Sequence, residues 1–170
     1  SYWLATALWL NGMVSSYQGN WQTAQDFNMR GLSVSPSDVR LLGPRMLLEH
    51  EIGDGIEGHG YQGRLVESLR QVMPGPRYDY ASATLTIPIV GHITGASDQL
   101  HIAESPAASV LSSEFATPLV SRFAEIGLAL MAVLQGDLDA AKELYVRLKS
   151  AAGSYLRISG DRVLGLLAQT

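Results

Sequence analysis

The sequence predicts an all-α protein built from stacked helical hairpins. Apolar residues recur at helical spacing along most of the chain, which is the pattern of helices that bury one face. Glycines interrupt these apolar segments at Gly19, Gly55, Gly95 and Gly136, with spacings of 36, 40 and 41 residues that suit one hairpin per interval. We therefore predict a right-handed αα-superhelix of about four hairpins and the truncated first half of a fifth.

The individual helices follow from the apolar spacing along the chain. The predicted hairpins cover residues 1–34, 37–73, 77–113 and 117–152, and the fifth begins at about residue 158. In the first helix an apolar stripe runs through Trp3, Ala7, Leu10, Val14 and Tyr17. A similar stripe in the fourth hairpin consists of Leu119, Phe123, Ile126, Leu130 and Val133. The second hairpin ends before the Pro-Gly-Pro at 74–76, which cannot continue a helix.

The third hairpin is the least regular part of this prediction. Residues 82–95 are rich in β-branched side chains and have Pro88 at their centre, which by itself suggests an edge strand as readily as a helix. Because one strand cannot make a sheet and the segment falls in step with the hairpin period, we predict a kinked helix. Pro106 either bends the next helix or separates a turn from it.

Composition limits the classes of function. Hydrophobic residues make up 46% of the 170 residues, enough for a sizeable core, so we expect one folded domain over residues 1–170. The net charge is -4 and basic residues are not clustered, which disfavours binding to nucleic acid or to an anionic membrane. The sequence has no cysteine, no apolar run of transmembrane length and no signal-peptide pattern. We therefore expect a cytoplasmic protein.

Small residues and turn residues recur at fixed offsets in two hairpins. They are Gly12, Gly19, Ala24 and Pro36 in the first hairpin, and Ala129, Gly136, Ala141 and Tyr145 in the fourth. With these offsets the chain resembles tetratricopeptide repeats (TPR). Residues 116–148 and 158–170 resemble the helical repeat region of large bacterial signalling regulators that carry a nucleotidyl cyclase or a LuxR-type ATPase. The middle hairpins depart from the pattern, with Gly60 and Leu100 where the small Ala is expected.

The resemblance implies a TPR-like, non-catalytic interaction or regulatory scaffold within a multidomain bacterial signalling or transcription-regulatory protein. Its partner would be a protein segment or an attached module of the same regulator. The alternative is a sensory domain that binds a small-molecule effector and gates an attached cyclase, ATPase or DNA-binding module. Because the sequence opens without Met and closes within an apolar pattern, we also expect a fragment of a longer protein, whose end faces could self-associate.

The loop around residues 53–58, "GDGIEG", offers two motifs for cofactors. Its letters match a dinucleotide fingerprint, but that fingerprint follows a strand, and the residues before this loop have a helical pattern. His50, Glu51, Asp54 and His59 include metal-binding residue types, but their spacing matches no compact metal site. An enzyme built on this loop would need one of these ligands. We expect no cofactor and no metal.

Catalytic residues cannot be assigned from the sequence. It contains no G-x-S-x-G nucleophile motif. Arg45 with Glu49, and Arg122 with Glu125, have the spacing of surface ion pairs on helices. His92 lies in an apolar segment, where a hydrogen-bonded core or groove histidine is a better interpretation than a catalyst. We therefore expect that the protein is not an enzyme.

The repeat register predicts a concave binding groove. Its candidate lining residues are Trp9, Met13, Tyr17, Arg45, Glu49 and His92. Trp, Tyr and Arg commonly anchor interfaces, which favours recognition of a partner. The alternative is that Trp9 and Tyr17 pack against a neighbouring hairpin. The same register places Phe123, Ile126 and Leu130 in the groove of the fourth hairpin. Because such an apolar lining is unlike a typical peptide groove, either the register slips there or the next repeat covers this surface.

Overall fold

The computed structural model describes residues 2–170, and this part of the chain forms nine α-helices and no β-strand. The prediction of an all-α fold is therefore confirmed. The helices are α1 (Tyr2–Tyr17), α2 (Trp21–Val34), α3 (Val39–Ile52), α4 (Gly55–Gln71), α5 (Tyr78–Thr94), α6 (His101–Leu111), α7 (Pro118–Gln135), α8 (Leu138–Leu148) and α9 (Gly160–Gln169), with a 3-10 turn at Lys149–Ala151.

Each of the four predicted hairpins is present, and each turns at a glycine with positive φ. These residues are Gly19 (φ 75°), Gly53 (φ 91°), Gly95 (φ 72°) and Gly136 (φ 69°). Glycine adopts this left-handed conformation easily because it has no Cβ. The prediction of Gly55 as the second turn residue is wrong, since Gly53 ends α3 and Gly55 begins α4.

The residue five positions after each turn glycine is buried in the hairpin. These residues are Ala24, Gly58, Leu100 and Ala141. The small contact of the second hairpin is therefore Gly58, whereas Gly60, the residue expected there, is exposed. Gly58 lies against the ring of His50, and a Cβ at position 58 would stand 2.6 Å from its Nε2 atom. With Gly53 and Gly58 assigned in this way, the buried contact residue lies five positions after the turn glycine in all four hairpins.

Residues 2–73 form a first compact unit that contains α1 to α4. In this unit α1 packs along α2, α3 packs along α4, and both α1 and α2 contact α3. The side chain of Leu41 packs against Gly31 of α2. A Cβ at position 31 would come within 2.7 Å of a Leu41 methyl group, so the absence of a side chain at Gly31 makes room for Leu41. The centre of this unit is α3, from which Leu41, Leu42 and Met46 are fully buried.

Residues 74–170 form a second compact unit that contains α5 to α9. Its central helix is α7, which contacts α5, α6, α8 and α9. Phe123, Ile126 and Leu130 of α7 are at most 3% exposed, so neighbouring helices cover them and they do not line an open groove. Among the described helices only α7 is long and apolar enough to span a membrane, and half of it is buried, as in core helices.

Residues 82–94 are helical and Gly95 ends the helix, which decides between the two predictions for this segment. The helix α5 continues through Pro88, and every residue from Tyr80 to Gly91 is buried. The hydroxyl of Thr84 donates to the Ala81 carbonyl (2.6 Å), so this buried polar group is satisfied within the helix. Burial on all sides outweighs the strand preference of its β-branched residues. Likewise, α6 continues through Pro106.

Candidate interaction surface

Helix α1 has one buried face and one exposed face. The buried face consists of Ala5, Leu8, Gly12 and Ser15. This face packs along α2, where a Cβ at position 12 would be in ordinary van der Waals contact with Ala24 and Phe27, at 3.6 Å. The apolar stripe found in the sequence is exposed instead: Trp3 is 77%, Leu10 47%, Val14 54% and Tyr17 51% accessible.

Arg40 connects the start of α3 to α1. Its guanidinium forms a two-point ion pair with Asp38, with Nη2 2.7 Å from Oδ2 and Nε 3.0 Å from Oδ1. Nη1 donates to the Tyr2 hydroxyl (3.2 Å) and to Thr6 Oγ1 (3.1 Å), and the group lies over the rings of Tyr2 and Trp9. The Asp38 hydrogen bond raises the pKa of Arg40 above its usual value, against partial desolvation. Arg40 therefore holds the Tyr2 and Trp9 side of α1.

Arg45 and Glu49 form an ion pair inside the first unit, not on its surface as the spacing suggested. Glu49 is 2% exposed, and its Oε1 lies 2.5 Å from Arg45 Nε. Gln25 of α2 donates to both carboxylate oxygens (3.1 and 3.2 Å), while Arg45 Nη1 donates to the Gln25 carbonyl (2.9 Å). Tyr61 of α4 lies under the guanidinium. This network joins α2, α3 and α4, and Gln25, which no sequence pattern singled out, is its link to α2.

The loop with the nucleotide-like and metal-like motifs is a helix-to-helix turn. Gly53 ends α3, and the Asp54 side chain accepts from the Glu57 backbone N–H (3.0 Å) to begin α4. His59 Nδ1 bonds the Gly55 carbonyl (2.6 Å). Within residues 2–170 no three His, Cys, Asp or Glu side chains gather to hold a metal ion. A helix, not a strand, precedes the glycines, so the structure does not provide the context of a dinucleotide fingerprint.

His50 and His59 meet edge to face across this turn, with ring centroids 5.2 Å apart. His50 is 7% exposed, whereas His59 is exposed. Burial, together with the neighbouring His59, lowers the pKa of His50 below its usual 6.5. The buried ring is therefore kept neutral in the folded hairpin.

His92 of the second unit connects α5 to α7. Its Nε2 lies 3.1 Å from the Leu130 carbonyl, and the ring is partly buried. Burial lowers the pKa of His92, while the bond to Leu130 opposes this effect. Since the neutral ring can donate from Nε2, His92 acts as a hydrogen-bonded link between two core helices, as one of its sequence interpretations held.

The six candidate groove residues thus have different environments. Trp9 and Met13 are partly buried on α1, and Tyr17 is half exposed at its end. Arg45 and Glu49 are engaged with each other inside the first unit. His92 belongs to the second unit. Arg40, which sequence reasoning passed over, is marked only by its position two residues after the helix-capping Asp38.

Two cavities open in the second unit. One, of about 280 Å³, has apolar lining residues that include Leu128 and Met131 and a polar part in which Arg147 pairs with Glu143 and Gln135 donates to Glu104. The other, of about 400 Å³, lies between α8 and α9 and is mainly apolar. Its lining includes Leu138, Ala141, Tyr145, Val146 and Leu167. The second cavity is within the size range of small-ligand sites, and the first lies just below it.

Comparison with known proteins returned no match: no family model, no curated protein and no solved structure resembles the chain significantly.

Proposed function

We propose that the chain is a non-catalytic interaction or regulatory scaffold, folded as a TPR-like superhelix, within a multidomain bacterial signalling or transcription-regulatory protein of the cytoplasm. The observation that carries this proposal is the fourfold recurrence of one helical hairpin with a left-handed glycine and a buried contact five residues later. A single hairpin cannot bury its own apolar face, so repeated hairpins stack and present an extended surface for recognition.

The ionisable groups near the candidate surface support a scaffold role. Arg40 and Asp38 pair with each other and hold α1, and Arg45 and Glu49 do the same between α2, α3 and α4. Because these charged groups are committed to holding helices, we assign recognition to Trp9 and Met13 on α1. Aromatic side chains with an apolar body and a polar end are common anchors of protein interfaces.

A binding experiment with the attached modules tests the proposal. We expect the chain to bind a protein segment of its own regulator in isothermal titration calorimetry, and Trp9→Ala with Met13→Ala to weaken binding about 10-fold or more. Trp21→Ala, at an aromatic residue 43% exposed at the start of α2, is the matched control and should bind normally. Failure of every module to bind, or equal binding by both variants, contradicts the proposal.

The alternative is a sensory domain whose effector occupies a cavity of the second unit. The cavity with Leu128 and Met131 supports it, because apolar lining residues beside a polar part suit a small amphiphilic ligand. Thermal-shift screening against metabolites would show a saturable stabilisation, about 2.7 kcal/mol at 100 times the dissociation constant. Leu128→Trp should fill this cavity and abolish the shift, whereas Leu138→Trp, in the other cavity, should not. A screen without a saturable shift would remove this alternative.

A further inference from the structure

The exposed stripe of α1 has the spacing of a helix-pairing seam. Trp3, Ala7, Leu10, Val14 and Tyr17 follow one another at steps of four, three, four and three residues. This is the 3.5-residue repeat with which two helices pack side by side in a coiled coil. We propose that two copies of this chain pair through these five residues, the α1 seam, to form a closed dimer.

The seam lies on the side of α1 that the fold leaves open. At about 100° per residue its positions point opposite to Ala5, Leu8, Gly12 and Ser15, which are buried against α2. The third side of the helix, with Tyr2, Thr6 and Trp9, is held by Arg40. Trp3 and Val14 nevertheless remain more than half exposed. An apolar stripe four turns long is therefore available to a second helix.

The charge distribution favours a second copy as the occupant. Residues 1–25 contain no Asp, Glu, Lys or Arg, although such residues make up 16% of the chain. Two identical seams therefore meet without repulsion and without burying an unpaired charge. A foreign partner selected by charge would find no complementary group on this face. Depletion of charge with enrichment of Trp and Tyr is also the composition of interface cores.

Self-pairing of one face has a defined stoichiometry. A seam that contacts its own copy is an isologous interface with two-fold symmetry, which closes at the dimer. Contact between the seam and the apolar cavity of α8 and α9 would instead be head-to-tail and would grow into longer assemblies with concentration. The two arrangements are therefore distinguished by mass alone.

Analytical ultracentrifugation of the purified chain tests the pairing. We expect the mass of a dimer, and we expect Leu10→Glu at the centre of the seam to raise the dissociation constant about 100-fold or more while the circular dichroism stays helical. Ile56→Glu, at a residue of α4 that is 88% exposed, is the matched control and should remain a dimer. A monomeric wild-type chain, a dimeric Leu10→Glu variant or assemblies that grow beyond the dimer would each overturn the proposal.

Disulfide cross-linking tests directly whether the α1 seams of two copies are in contact. The chain has no cysteine, so Leu10→Cys introduces a single thiol near the centre of the seam. Because disulfides require Cα atoms within about 7 Å, this variant should oxidise to a covalent dimer, whereas Ile56→Cys should stay largely uncross-linked. Equal cross-linking at both positions would show random collision and contradict a specific seam.

Discussion

Gly127 of α7 lies directly against the backbone carbonyl of Thr84 in α5, so closely that a Cβ at position 127 would overlap the carbonyl oxygen. In a regular helix this carbonyl accepts from the N–H four residues later, but that residue is Pro88, which has no N–H. The proline thus frees an acceptor at the point where the glycine allows the backbone of α7 to approach. These two residues set the spacing of the two central helices of the second unit.

Replacing Gly127 by Ala should destabilise the second unit by about 3 kcal/mol, because the added methyl group would have to push α5 and α7 apart. Urea denaturation followed by circular dichroism measures this effect. Gly165→Ala is the control, since position 165 is exposed in α9 and has no atom within 4 Å of its added Cβ. It should be neutral or stabilising by up to about 1 kcal/mol. Similar losses for both variants would contradict the close approach.

Opposite effects are expected for two glycines of α4. Gly58→Ala should destabilise the first unit by about 1–3 kcal/mol, because its Cβ would meet the buried His50 ring at 2.6 Å. Gly60→Ala should stabilise by about 0.5–1 kcal/mol, because position 60 has open space and Ala favours the helix. Thermal denaturation of both variants decides which glycine is the small contact of this hairpin. A loss at Gly60 and not at Gly58 would reverse the assignment.

Glu49→Ala should lower the unfolding free energy by about 3 kcal/mol or more. The substitution leaves the largely buried Arg45 without its carboxylate partner, and it removes both acceptors of the Gln25 amide. Glu143→Ala, which breaks an ion pair whose carboxylate is 72% exposed, should cost less than about 1 kcal/mol. Chemical denaturation compares the two variants. Equal losses of unfolding free energy would show that burial does not strengthen the Arg45–Glu49 ion pair.

Acid should weaken the first unit through His50. Its pKa is lowered in the folded state from 6.5, so the unfolded chain takes up the proton first. The stabilisation of the neutral ring is therefore complete above about pH 6.5, and it is lost as the pH falls below this value, by at most about 1.4 kcal/mol per pH unit.

Unfolding free energies at pH 7.5 and 5.5 measure this dependence. Because the His50→Gln variant lacks the titrating ring, its stability should change less between the two pH values than that of the wild type. His101→Gln, at an exposed histidine, should retain the wild-type dependence. An unchanged pH dependence in His50→Gln would mean that another group is responsible.

The apolar periodicity predicted the helices and their order. Helix formation depends on residues three and four apart, so the stripes and the turn glycines carry enough information to place four hairpins and the first helix of a fifth. Segment 82–95 was ambiguous because β-branched residues and Pro88 oppose a helix locally. Only its burial against α6 and α7 makes the helix the stable form.

What the sequence determined by itself is therefore the all-α class, the hairpin boundaries and most of the turns, because these follow from local periodicity and from the conformational freedom of glycine. The tertiary structure decided which face each helix buries. It buries the face of α1 with Ala5, Leu8, Gly12 and Ser15 and leaves the stripe from Trp3 to Tyr17 exposed. It also encloses Arg45 with Glu49. Which face is buried depends on which helices pack against it. Those helices can be distant in sequence, and the apolar periodicity of a segment does not identify them.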